Sequence, residues 1–370
     1  MRRGPYYALT LVSGKRVGPL PEAMRAAVYR GPQDVVVEER PVPELGANDV
    51  LLEVSHCGVC GSDLHMFVDG WGAPDSIGGH EFSGRVAAVG DAVRSWSAGE
   101  QVVGGPAQRC GECEYCRAGR PQLCTGRENP GLGGFQGAFA EFVRVHEAEL
   151  LRVPPGLSMR AAALAEPLAV ALHGLTRAGV REGQRILVTG CGPIGALSVA
   201  AAGARGVAEV VVSEPHPARR ELAERLGAIA VTPDELGAPR MPFELVDDPF
   251  DAALECSGHG AAMAAALAQL KRGGTLVLVG AGMDNPRFDN NRILLNELVI
   301  TGAYVYDPDG FPRALELLAS PEFPTDVLIE PDDVPLDDLY DAVERLVSGE
   351  LAAKVLIAPT RATSDNGGAR

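Results

Sequence analysis

The sequence has no apolar run of the roughly 18 residues that a membrane-spanning helix needs, so no such span is expected. Positive charge is in deficit, with 33 Lys and Arg against 49 Asp and Glu and a formal net charge of -16. Affinity for a phosphate backbone needs clustered Lys and Arg, so this balance argues against a nucleic-acid partner. Internal repeats are absent, and so is any low-complexity tract before the polar tail. No export signal is expected either. The apolar stretch after Met1-Arg2-Arg3 is short, broken by Thr10 and followed by Lys15-Arg16, where a small-residue cleavage site would stand. The expected location is therefore cytoplasmic.

What is there is an ordinary globular composition, 46% hydrophobic and 22% charged. Its 370 residues suggest about two to three domains. Eight cysteines in a reducing compartment read as metal ligands before disulfides.

The chain changes character along its length. Residues 1–23 read as an N-terminal extension, because a compact strand pattern begins at Met24. From there to about Ala165, short β-branched strands alternate with frequent turn signals, which suggests an all-β, barrel-like unit. From about Leu172 to Asp309, continuous apolar strands such as Arg185–Thr189 alternate with helices such as Pro193–Arg205, Pro217–Leu226 and Ala261–Leu270. That alternation indicates a parallel sheet covered on both faces. Two amphipathic helices (Phe311–Ala319 and Leu336–Ser348) and a last strand, Lys354–Ile357, are expected to return to the first unit, before a frayed tail. The boundaries that follow are 24–171, 172–309, 310–358 and a tail at 359–370.

Gly190-Cys191-Gly192-Pro193-Ile194-Gly195 fits G-x-G-x-x-G directly after a strand and at a helix start. The first glycine makes the turn, the second lets backbone approach a pyrophosphate, and the third lets helix and strand pack closely. Glu214 closes the next strand, where a carboxylate accepts from ribose hydroxyls and repels a 2′-phosphate, favouring NAD over NADP. Arg219 and Arg220, close by, pull against that preference, and Arg219 is a candidate cofactor contact.

Cys110, Cys113, Cys116 and Cys124 place four thiols within fifteen residues. Tetrahedral zinc needs four ligands, and four cysteines leave no open position, so this site reads as structural. An iron–sulfur cluster is the competing reading, against which stand the late fourth cysteine and the lack of a following proline.

The stretch Cys57-Gly58-Val59-Cys60-Gly61-Ser62-Asp63-Leu64-His65, with Gly79-His80-Glu81 after it, resembles the zinc-dependent medium-chain alcohol dehydrogenases. Within them, Glu166-Pro167-Leu168 looks like the sorbitol, threonine and butanediol dehydrogenase branch. The resemblance implies a GroES-like β-barrel catalytic domain plus a Rossmann doubly wound parallel sheet, and two zinc ions per chain. It implies Cys60 and His80 as catalytic zinc ligands, with Glu81 and Glu166 as the remaining candidates. It further implies zinc-alkoxide formation, hydride transfer to NAD, and a proton relay from the alcohol through Ser62 and the cofactor ribose to His65 and solvent, with Asp63 supporting the metal ligands by hydrogen bonding. Family habit gives a homodimer or homotetramer. The expected function is NAD-linked oxidation of a small secondary alcohol, diol, polyol or cyclitol to a ketone.

Cys57, despite its Cys-x2-Cys spacing to Cys60, reads as a small buried residue, and His56, His146, His173 and His259 gain no role from spacing. One departure stands out. In the stretch Tyr304-Val305-Tyr306 the polyol enzymes carry an arginine at the middle position, so sorbitol-like substrates are put in doubt. The competing readings are a zinc-free enoyl or quinone reductase of the same superfamily, and a non-catalytic NAD-binding zinc protein. The intact Cys60, His80 and Glu166 set stands against the first.

Overall fold

The computed structural model describes residues 18–105, 109–127, 136–283 and 285–360. Residues 1–17 of the expected extension and 361–370 of the expected tail lie outside the described residues.

The first half of the chain runs β1 (Ala23–Gly31), β2 (Asp34–Pro41), β3 (Asp49–Gly58), α1 (Gly61–Phe67), β4 (Ser76–Ile77), β5 (Glu81–Val89), β6 (Gln101–Gly104), α2 (Glu114–Arg117), β7 (Phe142–His146), β8 (Leu151–Arg152) and α3 (Met159–Ala162). The middle runs α4 (Ala165–Arg177), β9 (Arg185–Thr189), α5 (Pro193–Ala204), β10 (Glu209–Ser213), α6 (Pro217–Arg225), β11 (Ile229–Val231), β12 (Phe250–Glu255), α7 (Gly260–Ala268), β13 (Leu270–Leu278), α8 (Asn290–Asn296) and β14 (Val299–Gly302). The remainder is α9 (Gly310–Leu318), α10 (Thr325–Leu328), β15 (Val334–Pro335), α11 (Leu339–Val347) and β16 (Leu356–Ala358).

Among the described residues the strands form three sheets. A six-stranded parallel sheet has the order β11-β10-β9-β12-β13-β14. Its central strand β9 is almost wholly buried, as a strand covered on both faces must be. The second sheet joins distant parts of the chain in the order β15-β16-β3-β5-β6-β8, with β7 also on β3. Here β16 pairs antiparallel with Cys57 and Gly58 of β3, so residues near 356 complete a sheet begun near 49. A three-stranded sheet, β2-β1-β4, lies beside it. One apolar core unites residues 24–150 with Leu336, Leu339, Val343, Val355 and Ile357.

Several elements differ from the sequence reading. The helix expected through Leu270 ends at Ala268, and Leu270 opens β13. Leu270 pairs with Phe250 and pairing resumes at Thr275 with Ala252, so Lys271–Gly274 form an insertion that no periodicity reveals. The helix expected from Leu336 begins as a 3-10 turn, Leu336–Asp338, because the preceding Pro335 is extended, and becomes α-helical at Leu339. Helix α4 was not anticipated, and it carries the boundary drawn at 171/172 inside one continuous helix. It packs with α9 through Leu168, Leu172, Leu175, Ala314 and Leu315 in a core shared with the parallel sheet. The tail is docked where it begins, since the Thr360 hydroxyl donates to the Val54 carbonyl at 3.1 Å. Among the described residues, no helix is long and apolar enough to cross a membrane.

Candidate active site and metal centres

Helix α1 starts where β3 ends, and its start organises the site. Cys60 precedes its first residue in extended conformation, and the Cys60 N–H donates to Asp63 Oδ2 at 2.9 Å, closing the first turn from within. The other oxygen of buried Asp63 accepts from the Gly79 N–H at 3.3 Å and lies 3.9 Å from His80 Nδ1. One carboxylate thus fixes both the Cys60 turn and the backbone leading into His80. Ligand atoms of Cys60, His80 and Glu81 lie within 4.8 Å of one another. Burial disfavours a charged His80 ring, but Cys60 and Asp63 outweigh it and hold its pKa well above the ordinary value.

Glu81 is fully buried and is not free to turn. Lys354, equally buried, donates to Glu81 Oε1 at 2.9 Å and Oε2 at 2.7 Å, and to the Val59 carbonyl at 3.0 Å. Three ammonium protons meet three acceptors, which is the condition for a buried ion pair to be tolerated. Gly58 makes room for the pair, because a Cβ there would sit 2.3 Å from Glu81 Oε2. Burial works against the lysine's charge, yet Glu81 overrides it and Lys354 is held above its ordinary pKa.

Glu166, in the first turn of α4, is buried close to this group but outside the 4.8 Å cluster. Burial pushes its carboxyl up to about 7, a rise that the nearby His80 opposes and Glu81 assists. Beside it lies Tyr306, 2% exposed, whose hydroxyl has no hydrogen-bond partner. Val305 between the two tyrosines has φ 55°, the left-handed region that β-branched residues avoid, at a typical cost of about 1–3 kcal/mol. That turn sends Tyr306 inward and leaves Tyr304 half-exposed under the guanidinium of Arg127, 5.7 Å from its ring centroid.

Ser62 is exposed in the first turn of α1. His65, one turn on, stacks on Trp71 with ring centroids 4.5 Å apart. Each of its ring nitrogens faces an acceptor: Asp69 Oδ2 at 2.6 Å and the Ala281 carbonyl at 3.2 Å. Ala281 lies just past β13, so His65 links α1 to the rim of the parallel sheet.

At that rim the glycine loop has the form its spacing predicts. Gly190 has φ 85°, and a Cβ on Gly195 would lie 2.0 Å from the Gly190 carbonyl oxygen. Gly192 opens onto free space and Pro193 starts α5, leaving the helix N-terminus clear for an anion; Ile194 follows as its second residue. Glu214 accepts from the Cys191 N–H at 2.7 Å and the His216 N–H at 2.9 Å, which buries its carboxylate directly beneath the loop. Arg219 is turned elsewhere, donating to the Leu346 carbonyl at the end of α11 at 2.7 Å.

The second cluster unites Cys110, Cys113, Cys116 and Cys124, again with ligand atoms within 4.8 Å, and all eight cysteines are free thiols. Backbone N–H groups already point at the sulfurs: Cys110 donates to Cys124 Sγ and Cys113 to Cys110 Sγ, each at 3.3 Å. Such donors favour thiolate, and the N–H groups of Cys116 and Thr125 draw the Cys113 thiol below its ordinary range. Four converging sulfurs with N–H support fit a tetrahedral zinc ion. The first cluster fits an open metal site, because a thiol, an imidazole nitrogen and a carboxylate oxygen converge within 4.8 Å with no fourth protein ligand in the group among the described residues.

Sequence reasoning missed Lys354 and Arg127. A lysine in the apolar run Ala352–Ile357 was a readable sign of a buried charge; Arg127 carried none.

Residues 46–155 match the alcohol dehydrogenase GroES-like domain, and residues 193–320 match the zinc-binding dehydrogenase domain. Sorbitol dehydrogenase of Bacillus subtilis (strain 168) is 33% identical over 356 residues, covering 92% of this chain and 99% of its own length. The 2-dehydro-3-deoxy-L-galactonate 5-dehydrogenase of Pseudoalteromonas atlantica is also 33% identical, covering 90% of this chain and 98% of its own. Among solved structures, a zinc-binding dehydrogenase from Sinorhizobium meliloti 1021 bound to NADP superposes with a TM-score of 0.82 at 30% identity, covering 92% of this chain and all of that one.

Proposed function

The chain belongs to the zinc-type medium-chain alcohol dehydrogenase family, and on that premise we propose that it oxidises a small secondary alcohol, diol, polyol or cyclitol to a ketone, reversibly, with NAD preferred. The observation that carries this reading is the grouping of Cys60 and His80 beside a buried Glu81 already engaged by Lys354. With Glu81 occupied, Glu166 is the third protein ligand. Cys60, His80 and Glu166 would hold a zinc ion, which would supply Lewis-acid polarisation of the alcohol oxygen, with NAD as the hydride acceptor. Cys110, Cys113, Cys116 and Cys124 would hold a second, structural zinc.

The chain's own residues do the rest. Asp63 positions Cys60 and His80 together through the hydrogen bonds it accepts. Lys354 cancels the charge of Glu81, which limits the negative charge gathered around Cys60 and Glu166. Ser62 would take up the alcohol proton as it releases its own hydroxyl proton, and His65, whose Nδ1 lies 2.6 Å from Asp69 Oδ2, would pass that proton on to solvent. The loop Gly190–Gly195 takes the pyrophosphate, and Glu214 beneath it disfavours a 2′-phosphate. Residues 24–150 together with 336–357 form the catalytic domain, and the parallel sheet, with α4 and α9 packed on it, the nucleotide-binding domain between those two segments. Free thiols throughout suit a reducing, cytoplasmic setting.

The relatives named above act on a neutral polyol and on a sugar acid, so likeness leaves the substrate class open. Diols, cyclitols, 3-hydroxy amino acids and sugars should be screened for NADH formation alongside a zinc count of the purified protein. The expected result is NAD-dependent turnover of at least one alcohol at about two zinc per chain. Reduction of enones or quinones with no alcohol oxidised would overturn the reading.

We also propose a homodimer built on β14. Among the described residues this edge strand pairs only with β13, and Leu294, Leu295 and Val299 beside it are 72%, 54% and 49% exposed. Unpaired edge strands invite a second copy. Light scattering should give at least twice the 38.7 kDa chain mass, and a monomer at micromolar concentration would refute it.

A further inference from the structure

We infer that the substrate carries a carboxylate, which Arg127 receives while the carbinol carbon lies toward Glu166. The inference deepens the function proposed above and rests on it. Arg127 follows the last cysteine of the second cluster by three residues, yet its charge reaches the other site: it is felt at Glu166, Glu149 and Tyr306. Its Nη2 donates to the Pro121 carbonyl at 3.2 Å. Its Nε and Nη1 are buried and have no hydrogen-bond partner, and Arg127 makes no ion pair among the described residues. A desolvated guanidinium with open N–H donors is a half-made ion pair, and planar carboxylate is the anion it matches best.

The second unpartnered group adjoins the same place. A Cβ on Gly105 would lie 2.7 Å from the Tyr306 hydroxyl and 3.0 Å from Glu166 Cγ, so these three residues line one spot. Tyr306 is joined through Val305 to Tyr304, over which the Arg127 guanidinium lies. Glu166 and the open tyrosine hydroxyl therefore adjoin at Gly105, and the charge of the open Arg127 guanidinium reaches both. That grouping suits a carbinol, a hydroxyl and a carboxylate on one small molecule.

Other charged groups bear on this spot. Arg109 adds positive charge near Glu149 and Tyr306. Glu149 is the competing carboxyl; burial pushes it up to about 7, against the pull of Arg109 and Arg127. It is only part-ionised near neutral pH and makes no ion pair with either arginine among the described residues, so the field toward Arg127 is not cancelled.

The test is calorimetric titration of the zinc-loaded, NADH-bound protein with matched pairs: gluconate against sorbitol, galactonate against galactitol, 3-hydroxybutyrate against 1,3-butanediol. At least one acid should bind about tenfold or more tighter than its neutral partner. Arg127→Gln should abolish that advantage without changing neutral binding, and Arg127→Lys should restore part of it. Melting temperature and zinc content of both variants should match the parent, which shows that the cysteine loop is intact. If every neutral partner binds as tightly as its acid, or if Arg127→Gln leaves the advantage in place, the inference is wrong. Binding is read without turnover, so failure to oxidise any alcohol counts against the proposed function alone.

Discussion

Replacing Lys354 by methionine should destabilise the protein by about 3–5 kcal/mol, the usual result of stranding one partner of a buried ion pair. The reason is geometric. Lys354 and Glu81 are 1% and 0% exposed, and the ammonium group satisfies both carboxylate oxygens and the Val59 carbonyl at once. Removing it leaves a carboxylate with no water and no counter-charge. The double variant Glu81→Leu with Lys354→Met should recover most of the loss, because apolar replacement of a whole buried pair is often neutral. Urea unfolding of the parent, both single variants and the double completes the cycle. If the double variant is as unstable as Lys354→Met alone, the loss comes from packing of the lysine stem instead. The pH dependence has a defined sign: a lysine held above its ordinary value contributes fully below 10.5 and loses that contribution only as pH rises through its folded value.

The second large effect is catalytic. Cys60→Ser should reduce zinc from about two to about one per chain and lower kcat/KM at least about 10³-fold, or about 4 kcal/mol of transition-state stabilisation. The cysteines at 110, 113, 116 and 124 form a separate cluster and should keep their metal. Glu166→Gln should likewise lose the catalytic zinc, whereas Glu81→Gln should keep it. Metal analysis by mass spectrometry and initial rates of NADH formation read both quantities. Two zinc ions retained in Cys60→Ser with unchanged turnover would remove the catalytic centre from this cluster; zinc lost in Glu81→Gln but kept in Glu166→Gln would reverse the ligand assignment.

What the sequence disclosed follows from how far apart the cooperating residues lie. The cysteine loop, the Gly190–Gly195 turn and the Cys60–Asp63 start of α1 are local, so spacing alone carries their geometry. The parallel sheet was readable because strands covered on both faces have no polar alternation. Lys354 and Glu81 lie 273 residues apart, and only their joint burial relates them. The one available sign was compositional: Lys15, Lys271 and Lys354 are the only lysines in the chain, and the last sits in an apolar run. Helix α4 escaped notice because Pro167 breaks its pattern, although proline is tolerated in a first helical turn. Tyr306 stands in a stretch that the sequence marks as a candidate pocket wall, whereas Arg127 looks unremarkable there, since what distinguishes it is the lack of hydrogen-bond partners for two buried nitrogens.

The order of synthesis gives the Lys354–Glu81 pair another consequence. Glu81 leaves the ribosome long before its partner exists, and the sheet around β3 lacks β16 until residues 356–358 are made. All strands of the parallel sheet, by contrast, are complete once residue 302 has emerged. The nucleotide-binding half can therefore settle while the catalytic half still waits for its final strand. A chain released early, anywhere between residues 303 and 353, would keep a finished sheet beside an exposed, unneutralised Glu81, a form that quality-control proteases can distinguish from the complete protein.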